Sequence, residues 1–130
     1  TTEIYTLSLH DALPILDTPV CAMEARKFHE KAAELESVDT TIISMDLPFA
    51  GKRFCSTEGL KLTVASDFRT KEFSKSYGVL IADGLLKGLT CRAIFIIGKD
   101  GIVKHKEIIP EITEEPDYEK VLLATKEASK

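Results

Sequence analysis

From Thr18 to about Ser37 apolar residues recur at helical spacing: Cys21, Ala25, Phe28, Ala32 and Leu35. Asp17 and Thr18 can cap this helix, and Pro19 suits its first turn. Thr40–Leu47 is β-branched and apolar, as a buried strand would be, and Pro48 closes it. Phe49–Glu58 predicts a short helix that carries Cys55 and ends at Gly59, and Leu62–Ala65 a short strand. Thr70–Tyr77 is helical by pattern and stops at Gly78. Val79–Leu89, with Gly84 and Gly88, predicts an excursion rather than a core element. Arg92–Ile97 and Ile102–Ile109 are two β-rich runs joined by Gly98-Lys99-Asp100-Gly101, whose Asp-Gly step predicts an antiparallel hairpin. A last helix opens at Pro116 and runs through Tyr118, Val121, Leu122 and Thr125. Strands alternating with helices make this an α/β chain in which helices flank a sheet.

Residues 1–15 fit that order poorly. Thr2–Leu9 alternates weakly and suits an edge strand, whereas a sheet covered on both faces needs a central strand just before its first helix. The string YTLSLHDALPI also resembles translated sequencing adapter. Residues 1–15 are therefore expected to be a non-native leader, with one domain at 16–130.

The 130 residues, 44% of them hydrophobic, suffice for one core and no second domain. Seventeen basic against 21 acidic residues give a formal charge of −4 without a long block of either sign, which argues against a nucleic-acid partner. The longest apolar run, Ala93–Ile97, has five residues against the roughly 20 of a membrane span. No positive cluster precedes an apolar stretch at the N-terminus, so a cytoplasmic location is expected. The three cysteines, Cys21, Cys55 and Cys91, are odd in number and widely spaced, unlike a disulfide framework, and neither C-x-x-C nor H-x₃-H spacing supplies a structural zinc site.

Cys21 carries the first candidate chemistry. In the first turn of a helix, unpaired N–H groups and the positive end of the dipole stabilise a thiolate; the competing role is that of a small buried hydrophobe. Thr18, three residues earlier, can cap the helix or hydrogen-bond a substrate oxygen. A dithiol reductase would need a second cysteine where Glu24 stands, and a tyrosine-phosphatase loop an arginine where Lys27 stands. His29 lies eight residues along the helix, roughly 12 Å up its axis, too far to serve as a base for the thiol. Arg92 stands at the edge of a buried run and needs an anionic partner: either a plain Asp or Glu, or the Cys21 thiolate together with a bound oxygen. Strand alternation sets Cys91 on the face opposite Arg92, as core. Met23 and Met45 are expected to pack.

The spacing Pro14-x-x-x-Thr18-x-x-Cys21, with LDTPVC, RKF, MDLPFAGKRFC, FRTKEF, YGV-IADG, LKGL-CRA and EITEEPDY, resembles the bacterial thiol peroxidases, the atypical two-cysteine peroxiredoxins, over about residues 16–126. The resemblance implies a thioredoxin-like sheet with flanking helices, commonly in a homodimer, and no metal or organic cofactor. It implies that Cys21 attacks peroxide, that Cys55 resolves the product as an intramolecular disulfide, that Thr18 orients the peroxide and that Arg92 stabilises the charge. Organic hydroperoxides would be the favoured substrates and thioredoxin the reductant. Two departures stand out. Leu85 replaces a proline, and the N-terminal hairpin and first core strand of the family are expected to be lacking. A non-functional fragment, or a thioredoxin-like binding module without catalysis, is the alternative.

Overall fold

A computed structural model describes residues 7–32, 38–111 and 113–130. Its elements in chain order are β1 (Leu7–Leu13), α1 (Pro19–Ala32), β2 (Val38–Ser44), α2 (Pro48–Glu58), β3 (Thr63–Ser66), α3 (Glu72–Ser76), β4 (Arg92–Ile97), β5 (Val103–Ile109) and α4 (Tyr118–Ala128). The five strands form one mixed sheet in the order β3-β2-β1-β4-β5. β1, β2 and β3 run parallel, while β4 is antiparallel to both β1 and β5.

The N-terminal segment overturns the expectation of an edge strand and of a missing core strand. Leu7–Leu13 lies in the middle of the sheet, with Asp11 opposite Ile42 on one side and Ile94 on the other. Period-2 alternation explains why: Leu7, Leu9 and Leu13 form a buried apolar row, and Ala12 of the other row is buried too. Asp11, itself fully buried, interrupts the first row and weakens the pattern as read from sequence. The Thr2–Thr6 part of the expected strand, and the expected end of the first helix at residues 33–37, lie outside the described residues.

Each face of the sheet has its own core. Leu7, Leu9, Phe28, Ile94, Ile96, Ile109 and Val121 pack where α1 and α4 cover one face. On the other, Ala12, Val79, Ala93 and Phe95 meet Phe73 and Tyr77 around α3. Asp67 fixes the start of α3 by accepting from the Phe73 and Ser74 N–H groups, at 3.0 and 2.8 Å. β2 ends earlier than its apolar run suggests, because Asp46 turns away to accept from the Leu16 N–H at 2.7 Å.

The hairpin between β4 and β5 forms as expected, with Gly101 at φ 78° donating to the Gly98 carbonyl at 2.9 Å. The 79–89 excursion is pinched at its base, where the Cys91 N–H donates to the Val79 carbonyl at 2.8 Å, and Leu85 is fully exposed. This pinch feeds the chain into β4 at Arg92.

A central β1 has a measurable cost of disruption. Leu9→Ala should destabilise the protein by about 2–5 kcal/mol in chemical denaturation, as truncation of a core leucine does. An effect within about 0.5 kcal/mol, typical of a surface site, would contradict the central placement.

Candidate active site

The approach to α1 is held at three points. The Leu16 N–H is bound by Asp46, the Thr18 hydroxyl donates to the Ile15 carbonyl at 2.8 Å, and the Thr18 carbonyl accepts from the Ala22 N–H at 2.9 Å. Pro19, first in the helix, has no N–H to leave unpaired. Cys21 follows in the first turn at 2% exposure.

Arg92 reaches this turn from β4 across the sheet face. It is 1% exposed; its Nη2 donates to the Cys21 Sγ at 3.3 Å, and its Nη1 makes a hydrogen-bonded ion pair with the Glu24 Oε2. One guanidinium thus meets both a carboxylate and the Cys21 sulfur. Glu24, fully buried, was passed over in sequence except as a position that is not cysteine. Its signal was the i,i+3 spacing from Cys21, which puts both side chains on one helix face. Burial opposes the charge on Arg92, but Glu24 and Cys21 more than offset it and keep the guanidinium protonated.

Asp11 and Asp46 were missed as well. Asp11 enters the buried cluster from β1, and Asp46 organises the loop before the helix. Asp46 had a sequence signal, an acid breaking the apolar run Thr40–Leu47 two residues before Pro48; Asp11 had none.

Cys55 is half-buried on α2, which starts at Pro48 and ends at Gly59 in the left-handed region, φ 68°. Burial pushes its thiol up. Cys21 belongs to the apolar cluster of Leu13, Leu16, Ala25, Ile42, Phe54 and Leu60, and Cys55 packs against that same cluster, with all three cysteines as free thiols. Cys91 lies on the opposite face, against the Phe95 cluster. His29 stays away from the thiol and accepts from the Lys61 N–H at 3.4 Å. A cleft between the loop before α1 and α2 is lined by Leu16, Asp17, Asp46, Arg53 and Phe54. Among the described residues no group of three or more His, Cys, Asp or Glu is placed to hold a metal ion. No described helix is long and apolar enough to cross a membrane.

Residues 9–122 match the Redoxin family. The chain belongs to the redoxin family. Within it, the chain falls among the bacterial thiol peroxidases, which are thiol-dependent peroxidases. It is 54% identical over 116 residues to the thiol peroxidase of Aquifex aeolicus, covering 88% of this chain and 68% of that one. To that of Campylobacter jejuni it is 56% identical over 111 residues, covering 85% and 63%. The crystal structure of a peroxiredoxin-like protein from Aquifex aeolicus superposes with a TM-score of 0.91 at 50% identity, over 95% of this chain and 72% of that one. The chain thus spans about two thirds of the length of the curated relatives it matches. The redoxin match begins inside β1, in the segment read from sequence as a leader.

If one guanidinium must serve two partners, its planar fork matters. Arg92→Lys should slow alkylation of Cys21 at neutral pH about tenfold, the equivalent of one charge-assisted hydrogen bond of roughly 1.5 kcal/mol. An unchanged rate in a folded variant would contradict the bridging role.

Proposed function

We propose that Cys21 reduces hydroperoxides by direct attack and that Cys55 completes the cycle. The observation that carries this reading is the Arg92 Nη2 contact to the Cys21 Sγ, 3.3 Å, at the start of α1. The thiolate sulfur attacks the distal peroxide oxygen, the O–O bond breaks, and Cys21 becomes a sulfenic acid while the leaving alkoxide takes a proton to become the alcohol. Arg92 and the first-turn N–H groups stabilise charge as it moves from sulfur to the leaving oxygen. The Thr18 hydroxyl hydrogen is committed to the Ile15 carbonyl, so its oxygen accepts from the O–H of the incoming hydroperoxide.

The Cys55 thiol then condenses with the sulfenic acid, releasing water and forming a disulfide. Both cysteines are unbonded and held in helices, so the step needs local opening of the Cys55 helix, of the first turn at Cys21, or of both. The bond closes a loop of about 34 residues, which the chain-entropy model credits with on the order of 4 kcal/mol against the unfolded state. Thioredoxin, as an external dithiol, returns both cysteines to thiols by exchange. Organic hydroperoxides as preferred substrates belong to the same reading, with Leu16, Ala50 and Phe54 among the residues that line the cleft beside the active-site loop. A homodimer in the cytoplasm belongs to the same reading, and the exposed Leu47, Phe49 and Phe68 supply apolar surface for the pairing.

The test is peptide mapping after one equivalent of an organic hydroperoxide. The Cys21–Cys55 link should dominate, and Cys55→Ser should trap sulfenic acid on Cys21 and stop turnover with thioredoxin. A dominant link to Cys91, or full turnover without Cys55, would remove Cys55 from the cycle.

A further inference from the structure

Asp11 is the member of the buried cluster for which the reaction has no use. It occupies a position in the Leu7, Leu9, Leu13 row, fully buried, and neither of its carboxyl oxygens meets an N–H or O–H donor of another described group. The Glu24 Oε1 is in the same condition, and the Asp11 and Glu24 carboxyl groups are close enough to act on each other's charge. Two ionised carboxylates have no hydrogen to share, and two adjacent like charges in a dry interior repel. We propose that Asp11 and Glu24 hold one proton between them, seated on Asp11, and that this proton keeps Asp11 from adding a further buried negative charge beside Glu24, so that the second nitrogen of Arg92 can serve Cys21.

The seat of the proton follows from the contacts. Glu24 has the Arg92 Nη1 on its Oε2, which stabilises its ionised form, whereas the contact that Asp11 makes is with Glu24. Burial first, and the Glu24 charge after it, push Asp11 well above the usual carboxylate range. The other groups around the pair fit this balance. α1 presents Cys21 and Glu24, β4 presents Arg92, and β2 presents the neutral Ile42 in register. Tyr118, on α4, is raised by burial and by Glu115, and so stays neutral. Glu107 of β5 stands beyond Ile94, in register with it. Glu115, just before α4, also acts on Glu24 and Arg92, so an ionised Asp11 would add a further negative charge to a guanidinium that already answers Glu24, Glu115 and Cys21. Asp11 is thus a positioning residue that acts on Cys21 through Glu24 and Arg92.

The consequence for Cys21 rests on its reading as the nucleophile; the proton itself is tested without it. Infrared spectroscopy at neutral pH should show a protonated-carboxyl C=O band that shifts in D₂O, moves on selective ¹³C labelling of aspartate, and is absent from Asp11→Asn. No such band from aspartate in the wild type would overturn the proposal, whether or not the variant folds. The stability sign is fixed by linkage. A carboxyl raised above its unfolded value contributes stability at low pH and loses it as pH rises through the folded value. Asp11→Asn keeps a donor toward Glu24 and cannot ionise, so its Tm relative to wild type should climb with pH above the ordinary carboxylate range. A difference flat with pH would overturn the shared proton. The pH profile of Cys21 alkylation should contain a second ionisation in the wild type that is missing in Asp11→Asn; superimposable profiles would overturn the link to Cys21. Absence of peroxide turnover with the infrared band intact would count against the peroxidase reading alone.

Discussion

Arg92 holds a permanent positive charge between the sheet and α1 at 1% exposure, and a buried charge without local compensation costs several kcal/mol. Its surroundings answer that requirement. One edge of the guanidinium meets Glu24 and the other meets the Cys21 sulfur. For this to happen β4 has to lie beside β1 under the first turns of α1, and the pinched 79–89 loop and the tight β4–β5 hairpin deliver β4 there in register. The chemistry therefore depends on tertiary placement more than on α1 itself. Helix dipole and free N–H groups favour a thiolate, but a first-turn cysteine at 2% exposure still needs a cation within reach.

The same arrangement sets a limit. Each anion added around Arg92 dilutes its hold on the sulfur, so a buried carboxylate beside it works against reactivity unless it is neutral. Glu24 is tolerable because it fixes the guanidinium plane and leaves the second nitrogen directed at Cys21. Asp11 is compatible with the site as a shared-proton partner. The resolving step proposed for Cys55 would make the opposite demand, for opening: Cys55 sits on a helix of eleven residues with a left-handed glycine at its end and no side-chain cap at its start, which is where local unwinding costs least.

Much of this was legible in the residues. Cys21 in a first turn, the Asp-Gly hairpin, and the alternation that separates Arg92 from Cys91 all depend on short-range geometry, and local periodicity reports that directly. Leu7–Leu13 was not legible as the central strand, because His10 and Asp11 interrupt its alternation, and centrality is conferred by β2 and β4 pairing on either side. Glu24 looked like a missing second cysteine when its meaning was a partner for a strand 68 residues away in sequence. Asp46 and Asp11 likewise gain their roles from contacts between distant segments. The Thr18 oxygen could be placed near the thiol from spacing, but the commitment of its hydrogen to the Ile15 carbonyl depends on the path of the preceding loop.

The account turns on Glu24 and Arg92 acting as one unit upon Cys21. The direct measurement is a double-mutant cycle, Glu24→Gln with Arg92→Lys, read on the single-turnover rate of Cys21 oxidation by an organic hydroperoxide. If the ion pair orients the guanidinium on the sulfur, the double variant should be scarcely slower than the slower single variant, with a coupling of about 1 kcal/mol or more. Losses that multiply independently would show that Glu24 does not act through Arg92, and would contradict the bridge on which the site is built.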